Sequence, residues 1–190
     1  MTMPYLSIIV TSFIALSTKI SPVLSLSAGK YTISVRPNGL NPSLLYSEYG
    51  VNEEIQVGPF EDRQTQQALW SVIPDPQNEN NVRFENVQFH CAPYVGSRST
   101  NSFSSIPTII CGDLHSVSEE FKLTQISNKA GTYYIDTIAR EPPRRMFVEC
   151  YNELVNGSCT SNVTLTLSGS PLPELDLFPF TTEFTFTPVP

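Results

Sequence analysis

Only two side chains in this 190-residue sequence, His90 and His115, titrate near neutral pH when unperturbed, so general-base chemistry would start from them. His90 precedes Cys91 in a predicted strand, and His115 follows "CGDL" in a turn, two residues after Asp113. A serine nucleophile needs such a base, a group to orient it and an oxyanion site. No Gly-x-Ser-x-Gly elbow, phosphate-cradling glycine loop or Cys-x-x-Cys metal spacing accompanies either histidine. The residues predict binding rather than catalysis: not an enzyme, with no catalytic residue, no metal and no cofactor.

Chemistry of a second kind lies in the cysteines. Cys91, Cys111, Cys150 and Cys159 form an even set, which in an oxidising compartment reads as two disulfides. Four cysteines allow three connectivities. The local pairs Cys91–Cys111 and Cys150–Cys159 are favoured, closing loops that span 20 and 9 residues. In the chain-entropy model each bridge stabilises by about 3 kcal/mol. The first would hold the base of residues 96–107, "GSRSTNSFSSIP", with Arg98 at the tip and Ser99 after it. A stapled, extended loop binds with little loss of entropy. Arg98 there would fill the acidic pocket of a trypsin-like protease, with Ser99 across the scissile bond. Two further loops rank lower: "PFEDRQTQQ" with Arg63, and "SGSPLPELDLFPFTT" with Leu175, Leu177 and Phe178, which would suit an apolar pocket.

The ends of the chain say where such a molecule would work. Residues 5–16, "YLSIIVTSFIAL", are apolar for 12 positions, too few to cross a bilayer and right for the core of a signal peptide. Small residues suited to cleavage occur in Ala15-Leu16-Ser17 and in Ser25-Leu26-Ser27. Taking residues 1–27 as the signal peptide leaves 163 of the 190 residues, 28–190, as one secreted domain. Asn156 and Asn162 open glycosylation sequons, in keeping with an extracellular glycoprotein. Without Lys19 the chain carries 10 basic and 18 acidic residues and has no basic stripe. That balance argues against nucleic acid and against anionic membranes. A monomer is expected.

The elements that would position these loops are short strands rich in β-branched and aromatic residues, punctuated by Gly, Pro, Asn and Asp. No window sustains a helical period of apolar residues. "GKYTI", "NNVRF" and "GTYYI" begin at Gly29, Asn80 and Gly131, at equal spacings of 51. Trp70 and Phe121 each follow 41 residues after a unit start, and Phe184 follows 53 after Gly131, so the third unit carries about 12 extra residues before its last strand. Residues of one face then correspond: Tyr31, Val82 and Tyr133; Ile33, Phe84 and Ile135; Val72, Leu123 and Phe186.

Three units of about 50 residues with four short strands each resemble a β-trefoil, an all-β fold in which six strands close a barrel and three hairpins cap it. In units two and three each cysteine pair would then join the second and third strands. The closing motifs "LWSVIPDP" and "EFTFTPV", with the Pro-rich approach to the second, are similar to the mushroom (fungal) serine protease inhibitors of the cospin and cnispin kind. That resemblance implies a secreted inhibitor whose partner is a serine protease. The loop "SEYGVNEE" between the second and third strands of unit one has no basic residue, and no reactive residue carries over by matching. A carbohydrate-binding lectin with a glycan partner is the alternative. R-type (ricin B-like) lectins are more distant: Gln67 precedes Trp70 at the wrong spacing, and Asp136 after "TYYI" has no counterpart in the other units. Tyr94 and Tyr151 are the tyrosines offered for stacking on a sugar.

Overall fold

The computed structural model describes residues 25–36, 42–59, 66–99, 105–115, 119–138, 143–149, 154–155, 158–159, 163–167 and 182–190. Unit one contributes β1 (Gly29–Val35), β2 (Ser43–Tyr46), β3 (Glu53–Glu54), β4 (Gln56–Pro59) and β5 (Leu69–Asp75). Unit two contributes β6 (Asn78–Asn86), β7 (Cys91–Ser99), β8 (Ser105–Asp113) and β9 (Phe121–Gln125). Unit three contributes β10 (Thr132–Thr137), β11 (Met146–Glu149), β12 (Leu154–Val155), β13 (Ser158–Cys159), β14 (Val163–Leu167) and β15 (Phe184–Val189). Among the described residues there is no helix, hence none long and apolar enough to cross a membrane.

Six strands close on themselves in the order β15-β10-β9-β6-β5-β1, with β15 returning to β1. Closure leaves the barrel no unpaired edge. The register repeats three times. Within the units Tyr31 lies opposite Trp70, Val82 opposite Phe121 and Tyr133 opposite Phe184. Between units Phe84 lies opposite Val72, Ile135 opposite Leu123 and Ile33 opposite Phe186. All twelve of these side chains are between 0% and 6% exposed. Strand alternation therefore puts every repeat position inside, as the spacing of 51 requires.

Aromatic contacts fill the interior. Phe186 stands edge-on to Tyr133 at 5.5 Å and to Tyr31 at 6.2 Å, and stacks on Phe84 at 6.0 Å. Such pairs add about 1 kcal/mol each beyond the area they bury. Burial pushes the Tyr133 hydroxyl above its ordinary range, with neighbouring Tyr31 adding to the shift.

The remaining strands cap the barrel as hairpins: β2 with β4, β7 with β8, and β11 with β14. They meet where β14 pairs with both β4 and β8, and where β3 pairs with β8. Trp70 ties barrel to cap by donating its indole N–H to the Leu45 carbonyl at 3.0 Å. Leu45, Pro93 and Met146 from the cap and Ile33, Phe84 and Ile135 from the barrel line a void of about 20 Å³. Its lining is wholly apolar and offers a water no hydrogen-bond partner, so it stays dry.

Cys91 and Cys111 join β7 to β8, the second and third strands of unit two, with sulfurs 1.98 Å and Cα atoms 5.4 Å apart. Both are fully buried within the core. The Cys150–Cys159 pairing lies outside the described side chains. The long connection in unit three falls between β14 and β15, as expected, but its residues lie outside the description.

Candidate functional site

The hairpin of β7 and β8 carries Arg98 and Ser99. They are the last two residues of β7, in register with Ile106 and Ser105, so the connecting tip is residues 100–104 rather than Arg98 itself. The parity of the strand matters here. Val95 turns its N–H away from β8, toward the Glu119 carboxylate at 3.0 Å. By alternation the main chain of Arg98 faces β8. A protease grips a substrate through main-chain pairing around the residue that fills its pocket. Arg98 would have to leave its ladder to offer that. Arg63, Leu175, Leu177 and Phe178 lie outside the described residues, as do Asn156 and Asn162.

The most exposed large apolar side chain among the described residues belongs to another loop. In residues 47–52, between β2 and β3, Tyr49 is 68% exposed and Val51 is 41% exposed. A serine, a glycine and an asparagine shape this turn. Ser47 accepts the Gly50 N–H on its Oγ at 3.2 Å, and the Gly50 carbonyl accepts the Glu53 N–H at 3.3 Å. Gly50 has φ 87° and Asn52 φ 70°, left-handed values that glycine and asparagine adopt most readily. A Cβ on Gly50 would also come within 2.9 Å of the Phe89 ring.

Several anchors hold the loop from outside. Asn52 donates its N–H to the Cys111 carbonyl at 2.7 Å, directly on the disulfide. Gln67 supports it twice, its carbonyl accepting the Ser47 N–H at 3.1 Å and its side chain donating to the Glu48 carbonyl at 3.3 Å. The same Gln67 carbonyl accepts from the Asn86 side chain at 2.8 Å, and the Asn86 Oδ1 accepts the N–H groups of Gln88 and Phe89. Asn86 is fully buried and all these partners are met. Loops from units one and two are thus fixed to each other. The charged side chains within residues 47–54 are Glu48, Glu53 and Glu54, all acidic.

The other predicted groups are engaged in structure. Asp136 accepts from Arg145 through both carboxylate oxygens, at 2.8 Å and 3.1 Å, and Arg145 lies 4.2 Å over the Tyr134 ring. The Asp136 hydrogen bond raises the Arg145 guanidinium further above its ordinary value, against the opposing pull of burial. That carboxylate is not open to a sugar. Tyr94 is half-buried in β7, and Tyr151 lies outside the described residues. His90, expected in a strand, instead ends a turn with φ 50° and meets Glu85 at 2.8 Å. His115 donates its N–H to Asp113 in a tight turn. Among the described residues no three His, Cys, Asp or Glu side chains form a metal cluster.

Reading the sequence for basic residues missed Tyr49. The signal for it was a tyrosine directly before Gly50 and close to Asn52, turn formers within the loop "SEYGVNEE".

No protein-family model matches the chain, and no curated protein matches it. Solved structures similar in fold include the following two. A designed three-fold symmetric protein, ThreeFoil, superposes with a TM-score of 0.55 at 12% identity, over 85% of this chain and 99% of its own. The BEL β-trefoil superposes with a TM-score of 0.53 at 14% identity, over 88% of this chain and 99% of its own. The closed six-stranded barrel, its three capping hairpins and these likenesses agree: the chain is a β-trefoil.

Proposed function

We propose that this β-trefoil is a secreted binding protein that inhibits serine proteases by presenting Tyr49. The observation that carries the reading is a large aromatic side chain, 68% exposed, on a turn pinned to the disulfide-linked hairpin and to Gln67. A preorganised aromatic anchor is the commonest kind of hot spot, because little entropy is lost when it docks. Its partner is an enzyme with a deep apolar pocket, of the chymotrypsin class. The acidic surroundings of Glu48, Glu53 and Glu54 favour a cationic rim on that enzyme and make association slower in salt. Gly50, with φ 87°, follows Tyr49 immediately, so the Tyr49–Gly50 bond is not offered in the extended form that cleavage needs. Tyr49 therefore blocks the pocket without being cut.

The test is residual activity of trypsin, chymotrypsin, elastase and subtilisin with stoichiometric oxidised protein. Inhibition of chymotrypsin that weakens about 100-fold in Tyr49→Ala supports the reading, as expected for an anchor worth about 3 kcal/mol. Trypsin inhibition abolished by Arg98→Ala moves the site to the β7–β8 hairpin. Lack of inhibition of all four enzymes at micromolar concentration sinks the inhibitor reading and directs the protein to a glycan array, for the lectin alternative.

A further inference from the structure

We infer that the leader is cut upstream of Ser25, and that residues 25–27 belong to the mature domain. The inference rests on the reading of residues 5–16 as a leader and goes beyond the inhibitor reading. Leu26 is 8% exposed and packs into the main core with Tyr31, Val35 and their neighbours. Ser25 donates its hydroxyl to Glu79 at 2.8 Å, reaching from the start of unit one to the start of unit two. Ser27 matters most. The Tyr31 hydroxyl donates to the Ser27 carbonyl at 2.9 Å and meets its Oγ at 3.1 Å.

Tyr31 is 6% exposed and occupies one of the twelve repeat positions inside the barrel. A cut after Ser27 would strip both of these partners from the Tyr31 hydroxyl, leaving it to water, and would remove a core leucine, leaving a gap. It would also place a new ammonium group on Ala28, two residues before Lys30. Of the two small-residue positions in the sequence, only Ala15-Leu16-Ser17 leaves this segment intact. Hydrolysis there adds water across the Ser17–Thr18 amide, giving a Ser17 carboxylate on the leader and a Thr18 ammonium on the mature chain.

Expression of the full chain in a secreting eukaryotic host, followed by intact-mass and N-terminal sequencing of the deglycosylated product, tests this. The expected first residue is Thr18, and any first residue from Thr18 to Ser25 upholds the inference. A product beginning at Ala28 overturns it. Secreted protein still beginning at Met1 overturns the cut itself, whatever the protease assays show. A second measurement reads the fold of the same product: Leu26→Ala in the secreted chain should lower the melting temperature by about 5 °C. An unchanged melting temperature overturns the role given to residues 25–27 in the fold.

Discussion

Replacing Cys91 and Cys111 together by alanine removes the covalent tie across the β7–β8 hairpin. The bridge spans a sequence separation of 20, for which the chain-entropy model gives about 3 kcal/mol at 25 °C. The model places this effect mainly in the unfolded chain. In the folded state nine cross-strand pairs from Cys91–Asp113 to Ser99–Ser105 still align the hairpin, and its buried residues still face the core. The double variant should therefore fold to the same structure, less stably. Trp70 is the sole tryptophan and is 1% exposed, so its fluorescence reports global unfolding. In urea the midpoint should fall by about 1.5 M, and the m-value should rise because the untied chain exposes more surface on unfolding. A midpoint within about 0.3 M of the parent would refute the reasoning, since it would mean that the bridge restrains neither state. A lower midpoint with a reduced m-value would show instead that the folded hairpin had opened. That outcome would assign the stabilisation to native packing, against the argument above.

Two further outcomes follow from named contacts. Gly50→Ala puts a Cβ into a left-handed position and against Phe89, which should destabilise by about 2 kcal/mol and lower the melting temperature by about 6 °C. A thermal melt within 1 °C of the parent would mean that the turn is not held as described. Tyr133, whose hydroxyl is raised above its ordinary value by burial, keeps its proton in the fold at pH values where the unfolded chain loses it. Folding stability that is complete below about pH 10 should then decline as pH rises, because the native state binds the extra proton. Tyr133→Phe should flatten that alkaline decline in urea titrations run from pH 8 to 11.5; an unchanged slope would count against the assignment.

Much of the architecture was legible in residue types and spacing. The repeat distance of 51 and the alternation of Tyr31, Ile33 and Val35 depend only on strand geometry, which fixes side-chain direction with a period of two. The Cys91–Cys111 pairing, favoured because the two residues are close in sequence, agrees with the same repeat, which places both on adjacent strands of one unit. Loops were less legible. Arg98 looked like a tip residue because sequence distance from the cysteines says nothing about how far a ladder extends, and here pairing runs on to Ser99. The engagement of Asp136 with Arg145 was hidden for a similar reason: the partner sits nine residues away, beyond a turn.

Periodic features of this protein, its strands, their inward faces and the threefold repeat, were determined by the sequence itself, because local backbone geometry imposes them on any chain with this pattern. Tertiary structure alone decided that Leu26 is part of the core, with the exposed Ser27 bonded to the Tyr31 hydroxyl, and that Tyr49 is 68% exposed on an anchored turn. The first depends on packing into the barrel interior, and the second on Gln67 and on the Cys111 carbonyl of unit two, contacts that exist only once the chain has folded back on itself.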